Sequence, residues 1–327
     1  MSNQIRWGVL STANIGAKRV IPAIHNSHNG IVTAVASRNH DRAKAFADTN
    51  NIPRAYGTYD DLLADDSVDA IYIPLPNSHH AEWAIKCAEA GKPTLCEKPL
   101  AATADEAQTM VDAFKERGIL FAEAFMYRFH PQTQRVKAMV EAGEIGDIGM
   151  MSATFSFQIR DGNEDNIRLQ ADLAGGALMD VGCYCINAMR YMIGEEPTRG
   201  TAYADFGSNG GVDETVAAIL EFPSGAIGHL DASLRLSHTH TYEIRGSKGR
   251  IQVPTSFVPN YQTGEPTQIY HWHDNTMDAI DIPASDHYQI MVEDFADALI
   301  NNRPPKFDPQ DGVENMRVID MLLASAR

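Results

Sequence analysis

The chain has 327 residues and is short of basic residues, cysteine and long apolar runs. Lys and Arg number 27 against 43 Asp and Glu, a formal net charge of -16. That balance argues against nucleic acid or an anionic membrane surface as partner, since both call for a cationic face. It leaves room for an anionic cofactor held by a few local cations. The four cysteines, Cys87, Cys96, Cys183 and Cys185, show neither CxxC nor disulfide-framework spacing. Free thiols in a reducing cytoplasm are the expectation. No apolar run approaches the ~18 residues of a membrane span. The opening MSNQIRWGVL lacks the basic, apolar and small-residue order of a signal peptide. No internal repeat or low-complexity tract is present. What remains is an ordinary globular composition, 44% hydrophobic and 21% charged, at a length that suits two domains.

The first third alternates strand and helix patterns. Ile5 to Leu10 reads as a strand, followed by the small-residue turn Ser11-Thr12-Ala13-Asn14 and a helix to about Asn26. Ile31 to Ala36, Asp69 to Ile73, Thr94 to Cys96 and Ile119 to Ala122 read as further strands. Asp41 to Asn50, His79 to Ala90 and Ala104 to Arg117 read as helices, the last two stopped by Gly91 and Gly118. Short apolar strands alternating with helices predict an α/β fold with a doubly wound parallel sheet covered on both faces.

After about Ala124 the pattern changes. A helix over Pro131 to Glu141 is broken by Gly143 and Gly146. Strand-like runs then dominate: Met151 to Ile159, Thr201 to Phe206, Val216 to Phe222, Ala226 to Leu234, Tyr242 to Arg245 and Arg250 to Val253. One helix, Ala177 to Ile193, interrupts them, and helices near His287 to Asn301 and Asp311 to Ser325 close the chain. The expectation is a first domain over 1–123 and an α+β second domain over 124–327 with a large, open, mostly antiparallel sheet. An uncovered sheet face predicts a homodimer or homotetramer.

A dinucleotide-binding turn needs small residues where the first strand meets the first helix, so that pyrophosphate can rest on the helix N-terminus. Here the pattern is Ser11-x-Ala13-x-x-Gly16 rather than a strict glycine pattern, and Ser11, Thr12, Ala13, Asn14 and Ile15 form the candidate cradle. The second strand ends in Ser37-Arg38. A hydroxyl and a guanidinium suit a 2′-phosphate, so NADP is favoured and NAD stays possible. The alternative is a solvated turn with Arg38 paired to Asp41. Pro74-Leu-Pro-Asn-Ser-His-His80 and Glu97-Lys98-Pro99 lie at the carboxyl ends of successive strands, where ligands bind such sheets.

Trp7-Gly-Val-Leu-Ser11, Glu97-Lys98-Pro99, Met126-Tyr-Arg-Phe-His-Pro131 and Gly175-Gly-Ala-Leu-Met-Asp180-Val-Gly182-Cys-Tyr184 carry a resemblance over essentially the whole chain. The chain resembles the glucose–fructose oxidoreductase / inositol dehydrogenase / rhizopine-catabolism protein family. The tyrosine at 184 looks like the branch holding D-xylose dehydrogenase, dihydrodiol dehydrogenase and sugar ketoreductases. The resemblance implies a Rossmann domain, a second domain with a large open sheet, and hydride transfer between nicotinamide and a hydroxyl carbon of a sugar or polyol. It implies Lys98 as the catalytic lysine, a strained or cis peptide before Pro99, and Asp180 and Tyr184 as an acid/base group and its partner. By the same analogy Pro74, Asn77, His79 and Glu97 approach the nicotinamide end of the cofactor, and Tyr127 contacts substrate. Arg128 and Arg168 are candidates for cofactor or substrate contacts, with surface ion pairing the alternative for each.

The chemistry of the residues agrees. Asp180 and Tyr184 are four apart, so a helix places them on one face. A tyrosine with pKa near ~10 is a poor base until a cation such as Lys98 lowers it. Either Tyr184 or Lys98 is able to carry the proton. The competing expectations are a keto-sugar reductase, which Ile167-Arg-Leu-Gln-Ala-Asp172 also resembles, a trans-dihydrodiol dehydrogenase, and a regulator that senses NADP(H). His238-x-His240 and His271-x-His273 have a spacing able to bind zinc. No third ligand is evident in the sequence, so no metal is expected.

Overall fold

The computed structural model describes residues 4–160, 162–207, 211–259 and 264–327. It divides into two units, Met1–Met126 with Asp286–Val313, and Tyr127–Ser285 with Glu314–Arg327. In the first unit, β1 (Ile5–Leu10), β2 (Gly30–Ala36), β3 (Arg54–Tyr56), β4 (Ala70–Ile73), β5 (Thr94–Cys96) and β6 (Phe121–Glu123) form one sheet in the order β3-β2-β1-β4-β5-β6. Every pairing is parallel. This is the doubly wound dinucleotide-binding order, with the chain reversing direction across the sheet between β1 and β4. The strands connect through α1 (Ile21–Asn26), α2 (His40–Thr49), α3 (Tyr59–Leu63), α4 (His80–Glu89) and α5 (Ala104–Arg117). Local chemistry sets the helix ends. Asn39 accepts from the Arg42 amide at 2.9 Å and Thr103 from the Glu106 amide at 3.2 Å. Gly118, at φ +65°, stops α5 in the left-handed conformation.

The chain returns to this unit at α8 (His287–Ile300). Trp7 is fully buried, and its indole lies 5.2 Å from the ring of Phe295. The Asn29 side chain donates to the Glu293 carbonyl at 2.9 Å. By contacts within the chain the division falls at 126/127, and residues 286–313 group with the first unit. The short β3 and α3 were also unread; three and five residues give no periodicity to detect.

The second unit contains α6 (Pro131–Glu141), α7 (Cys183–Ile193) and an eight-stranded sheet. Its strands are β7 (Ile148–Ser156), β8 (Arg199–Asp205), β9 (Thr215–Glu221), β10 (Ile227–Ser233), β11 (Thr239–Gly246), β12 (Gly249–Val253), β13 (Thr267–His273) and β14 (Thr276–Ile282). The order is β14-β13-β12-β11-β7-β10-β9-β8, antiparallel except for the β7–β10 pair. Strict alternation separates its faces. Val216, Ala218 and Leu220 of β9 are buried, whereas Ile219 between them is half exposed. Tyr203, Ile219 and Met277 remain exposed apolar residues of this sheet. The β13–β14 hairpin was not anticipated as a whole. Its turn residues Asp274 and Asn275 both adopt positive φ without glycine, and β14 is mostly exposed. The last helix, α9 (Gln310–Ala326), spans the division at 313/314. No helix among the described residues is long and apolar enough to cross a membrane, and all four cysteines are free and buried.

Gly246 sits where β11 passes the segment before β7, and a Cβ there would run into the Ile145 carbonyl oxygen. Gly246→Ala is expected to destabilise the chain by about 1–3 kcal/mol, the usual range for overpacking. Urea unfolding followed by circular dichroism measures this, and an unchanged midpoint would contradict the crowding.

Candidate active site

In the first unit, β1 is followed by Ser11 at φ +124°, a conformation that normally selects glycine. Three hydrogen bonds hold it there. The Ser11 amide donates to the Ala36 carbonyl at 3.1 Å, its hydroxyl donates to the Pro74 carbonyl at 3.0 Å, and the hydroxyl accepts from the Ala13 amide at 3.2 Å. A serine therefore serves where the pattern called for glycine, and it ties together the ends of β1, β2 and β4. Helix begins at Asn14, which is exposed, and passes through a π-helical turn at Gly16–Val20. A Cβ at Gly16 would meet its nearest neighbours at an ordinary 3.8 Å. The protein's own packing does not require glycine there, so the small residue leaves space above the turn. Ser37 is buried, and its hydroxyl accepts from the Asn39 amide at 3.4 Å. Arg38 is exposed and forms no ion pair with Asp41 among the described residues. Small residues at the turn, a free-standing helix start and an exposed guanidinium at the end of β2 fit a dinucleotide carrying a 2′-phosphate.

The neighbouring strand ends are tightly organised. The Lys98–Pro99 peptide is cis, as the resemblance implied. Glu97 accepts from the Tyr72 hydroxyl at 2.6 Å and from the Lys98 amide at 3.3 Å. Burial and the Glu97 carboxylate hold the Tyr72 phenol well above its ordinary pKa. Asn77 and His79 form one 3-10 turn after Pro74, and the His79 ring bonds the Ser78 hydroxyl at 3.0 Å. His80, fully buried, was not singled out from the sequence. Its ring nitrogens lie 3.0 Å from the Pro99 carbonyl and 2.9 Å from the Leu75 carbonyl. One imidazole thus joins the two loops that carry Asn77 and Lys98. Burial pushes its pKa down to about 4, so it is neutral at pH 7.

In the second unit, Asp180 lies on a π-helical turn, Leu178–Gly182, that leads directly into α7 and Tyr184. The Arg168 Nε donates to Asp180 Oδ2 at 2.7 Å. Asn166 fixes the Arg168 segment by accepting from the Arg168 amide at 3.1 Å. The Gly176 amide donates to the Arg168 carbonyl at 2.8 Å, and a Cβ at Gly175 would strike that same carbonyl. The glycine pair therefore lets the arginine segment close on the helix start. Tyr184 is 5% exposed and is surrounded by the rings of Tyr127, Phe155 and Phe257 at 5.8, 5.4 and 5.5 Å. Tyr127 is fully buried and donates to Asn187 Oδ1 at 2.6 Å, and Arg128 is 3% exposed. Tyr127 packs against the Tyr184 ring, and the Arg128 carbonyl accepts from the Gln134 side chain at 2.6 Å.

Residues 5–125 match the oxidoreductase family with an NAD-binding Rossmann fold, and residues 133–252 match the GFO/IDH/MocA C-terminal domain. This chain belongs to the GFO/IDH/MocA oxidoreductase family. The family member is 41% identical over 320 residues to D-xylose 1-dehydrogenase (NADP(+)) 2 of Haloferax volcanii, covering 98% of this chain and 97% of that protein. It is 34% identical over 326 residues to a dTDP-3,4-didehydro-2,6-dideoxy-alpha-D-glucose 3-reductase of Actinomadura kijaniata, covering 100% of this chain and 97% of the relative. The structure of a 3-ketoreductase from the same organism, in complex with NADP and TDP-benzene, superposes with a TM-score of 0.91 at 32% identity, covering 99% of this chain and 98% of the other.

Two features of this oxidoreductase were not legible as functional. The histidine pairs behave differently. His240 is buried and its Nδ1 accepts from the Phe257 amide at 3.3 Å, whereas His271 and His273 are joined by Asp278 from the next strand. Asp213 is the second. Its carbonyl accepts from the Ala177 amide and its Oδ2 from the Leu178 amide, each at 2.7 Å, so it anchors the start of the turn carrying Asp180. Gly176, at φ +122°, has no room for a Cβ beside that carboxylate.

Burial dominates the two amide contacts and pushes the Asp213 pKa up to about 6. A carboxyl with a raised folded-state pKa favours the protonated native state, so its contribution to stability falls as pH rises from about 4 to about 6 and is flat above. Asp213→Asn removes that slope. Relative to wild type, the variant's unfolding free energy is expected to rise by roughly 2–3 kcal/mol between pH 4 and 7. A pH-independent difference in parallel denaturation curves would contradict the assignment.

Proposed function

We propose that this member of the GFO/IDH/MocA family is an NADP-dependent sugar dehydrogenase that oxidises an aldose at its anomeric carbon, with D-xylose as the leading substrate. The observation that carries this reading is the 41% identity, over nearly the full length of both chains, to a D-xylose 1-dehydrogenase (NADP(+)). The exposed Arg38 at the end of β2 supports NADP over NAD. A keto-sugar reductase is the second reading, supported by the full-length likeness to the dTDP-sugar 3-reductase and to the NADP-bound ketoreductase structure. The exposed Tyr203, Ile219 and Met277 on the large sheet support a homodimer or homotetramer.

Bound nicotinamide takes up or supplies the hydride. The residues of the chain handle the proton and the orientation. In this proposal the phenol of Tyr184 or the ammonium of Lys98 exchanges the hydroxyl proton of the sugar. The cation of Lys98 stabilises negative charge as it develops on the sugar oxygen. Asp180, held by Arg168, orients the sugar hydroxyl next to Tyr184. The aromatic surround of Tyr184 keeps its ring in one orientation and excludes water from it. Ser11, Thr12, Ala13, Asn14 and Ile15 cradle the pyrophosphate, and Ser37 and Arg38 meet the adenosine 2′ position. Pro74, Asn77, His79 and Glu97 lie toward the nicotinamide end.

A steady-state screen of aldoses, inositols and keto-sugars with both cofactors tests the proposal. D-xylose-dependent reduction of NADP is expected. Lys98→Ala and Tyr184→Phe are each expected to lower kcat/KM at least ~100-fold, the usual scale of a general acid/base. Inositol oxidation with NAD alone, or unchanged turnover in both variants, would refute it. Arg38→Ala is expected to raise the KM for NADP roughly 10- to 100-fold while leaving that for NAD nearly unchanged, the scale of a lost hydrogen bond to a charged group. Equal effects on both cofactors would remove Arg38 from the 2′-phosphate.

A further inference from the structure

We propose that His271, His273 and Asp278 form a binding site for a divalent transition-metal ion of the zinc class within the second unit. The register of the β13–β14 hairpin brings them together. His271 and Asp278 are direct cross-strand partners, and His273 lies two residues further along the same face. Each residue offers one ligand atom, and these atoms all lie within 4.8 Å of one another. A tetrahedral ion with nitrogen and oxygen ligands at ~2.0–2.2 Å spaces its ligands roughly 3.3 Å apart, so small side-chain rotations close the set.

The second observation concerns His271. Its side chain is buried, the residue being 7% exposed, and its Nε2 has no hydrogen-bond partner among the described residues. A buried imidazole nitrogen without a partner is unfavourable, and a bound ion would satisfy it. The His271 and His273 rings lie 4.7 Å apart at 36°, so neither blocks the other. His273 Nε2 and Asp278 Oδ2 are already 2.8 Å apart. An ordinary surface pair accounts for that contact but not for the orphaned nitrogen of His271.

The surroundings suit a cation. Glu144 places a carboxylate oxygen 3.8 Å from His271 Nδ1, and Asp274 places one 3.8 Å from His273 Nδ1. Either is close enough to compensate charge, and water completes the coordination. The turn residues Asp274 and Asn275 hold φ of +47° and +61°, as a tight primed hairpin turn requires, which fixes the register of the ligands. Two imidazoles and one carboxylate favour zinc, nickel or copper over calcium or magnesium, which prefer all-oxygen sets. The ion would fasten the edge strand β14 to β13, since β14 has no other neighbour in the sheet.

The test uses the full-length chain after dialysis against a chelator, with zinc alone titrated by calorimetry and cobalt as a spectroscopic probe. One equivalent is expected to bind with micromolar or tighter affinity, to raise Tm, and to give the visible absorption of tetrahedral or five-coordinate cobalt. His273→Ala and Asp278→Asn change exposed or half-exposed side chains, and each is expected to weaken binding at least ~10-fold. His238→Ala is expected to leave binding unchanged. Absence of saturable binding would overturn the proposal. So would binding that survives both His273→Ala and Asp278→Asn, because the ion would then reside elsewhere.

Discussion

Arg168 and Asp180 meet at 2.7 Å, and much of the surrounding second unit is arranged so that they can. The guanidinium side chain is 41% exposed, so the pair adds little to stability. Its effect is on orientation. The carboxylate is held in one rotamer at the edge of the turn leading to Tyr184. Gly175 and Gly176 let the arginine segment approach, Asn166 fixes that segment, and Asp213 anchors the helix start from 35 residues further along the chain.

Both units place a π-helical turn at the start of the helix that matters most. One is Gly16–Val20 after the serine turn, and the other is Leu178–Gly182 before Tyr184. A π turn carries one more residue per hydrogen-bonded ring than an α turn, at some cost in backbone energy, and such insertions concentrate at functional positions. Each shifts the faces presented by the residues around it. Ser11 adds a comparable distortion, a left-handed conformation held by its own hydroxyl. The irregular backbone and the candidate site residues coincide.

The parts of this architecture that were legible in the sequence have local causes. α5 was read at its true limits because Thr103 starts it and Gly118 stops it. β4 and β5 were recognisable as short apolar runs ended by proline or charge. Arg38 was singled out by its place at the end of a strand, and Lys98, Asp180 and Tyr184 were singled out through the motifs that carry the family resemblance. What escaped detection depends on distant partners. Asp213 has no local pattern that links it to Leu178. The third donor beside His271 and His273 lies across a hairpin whose turn contains no glycine.

Three passages of the chain across the division, at 126/127, 285/286 and 313/314, bear on how this protein can be dissected. The nucleotide-binding half is not a contiguous stretch that a single cut would release. A fragment ending at residue 126 would strip the Phe295 ring from the Trp7 indole and leave the back of β1 wet. A nucleotide-binding fragment fit for expression has to carry the later segment as well, joined by a short linker in place of the excised sheet. The family module, residues 5–125, and the compact unit it belongs to are therefore different objects here.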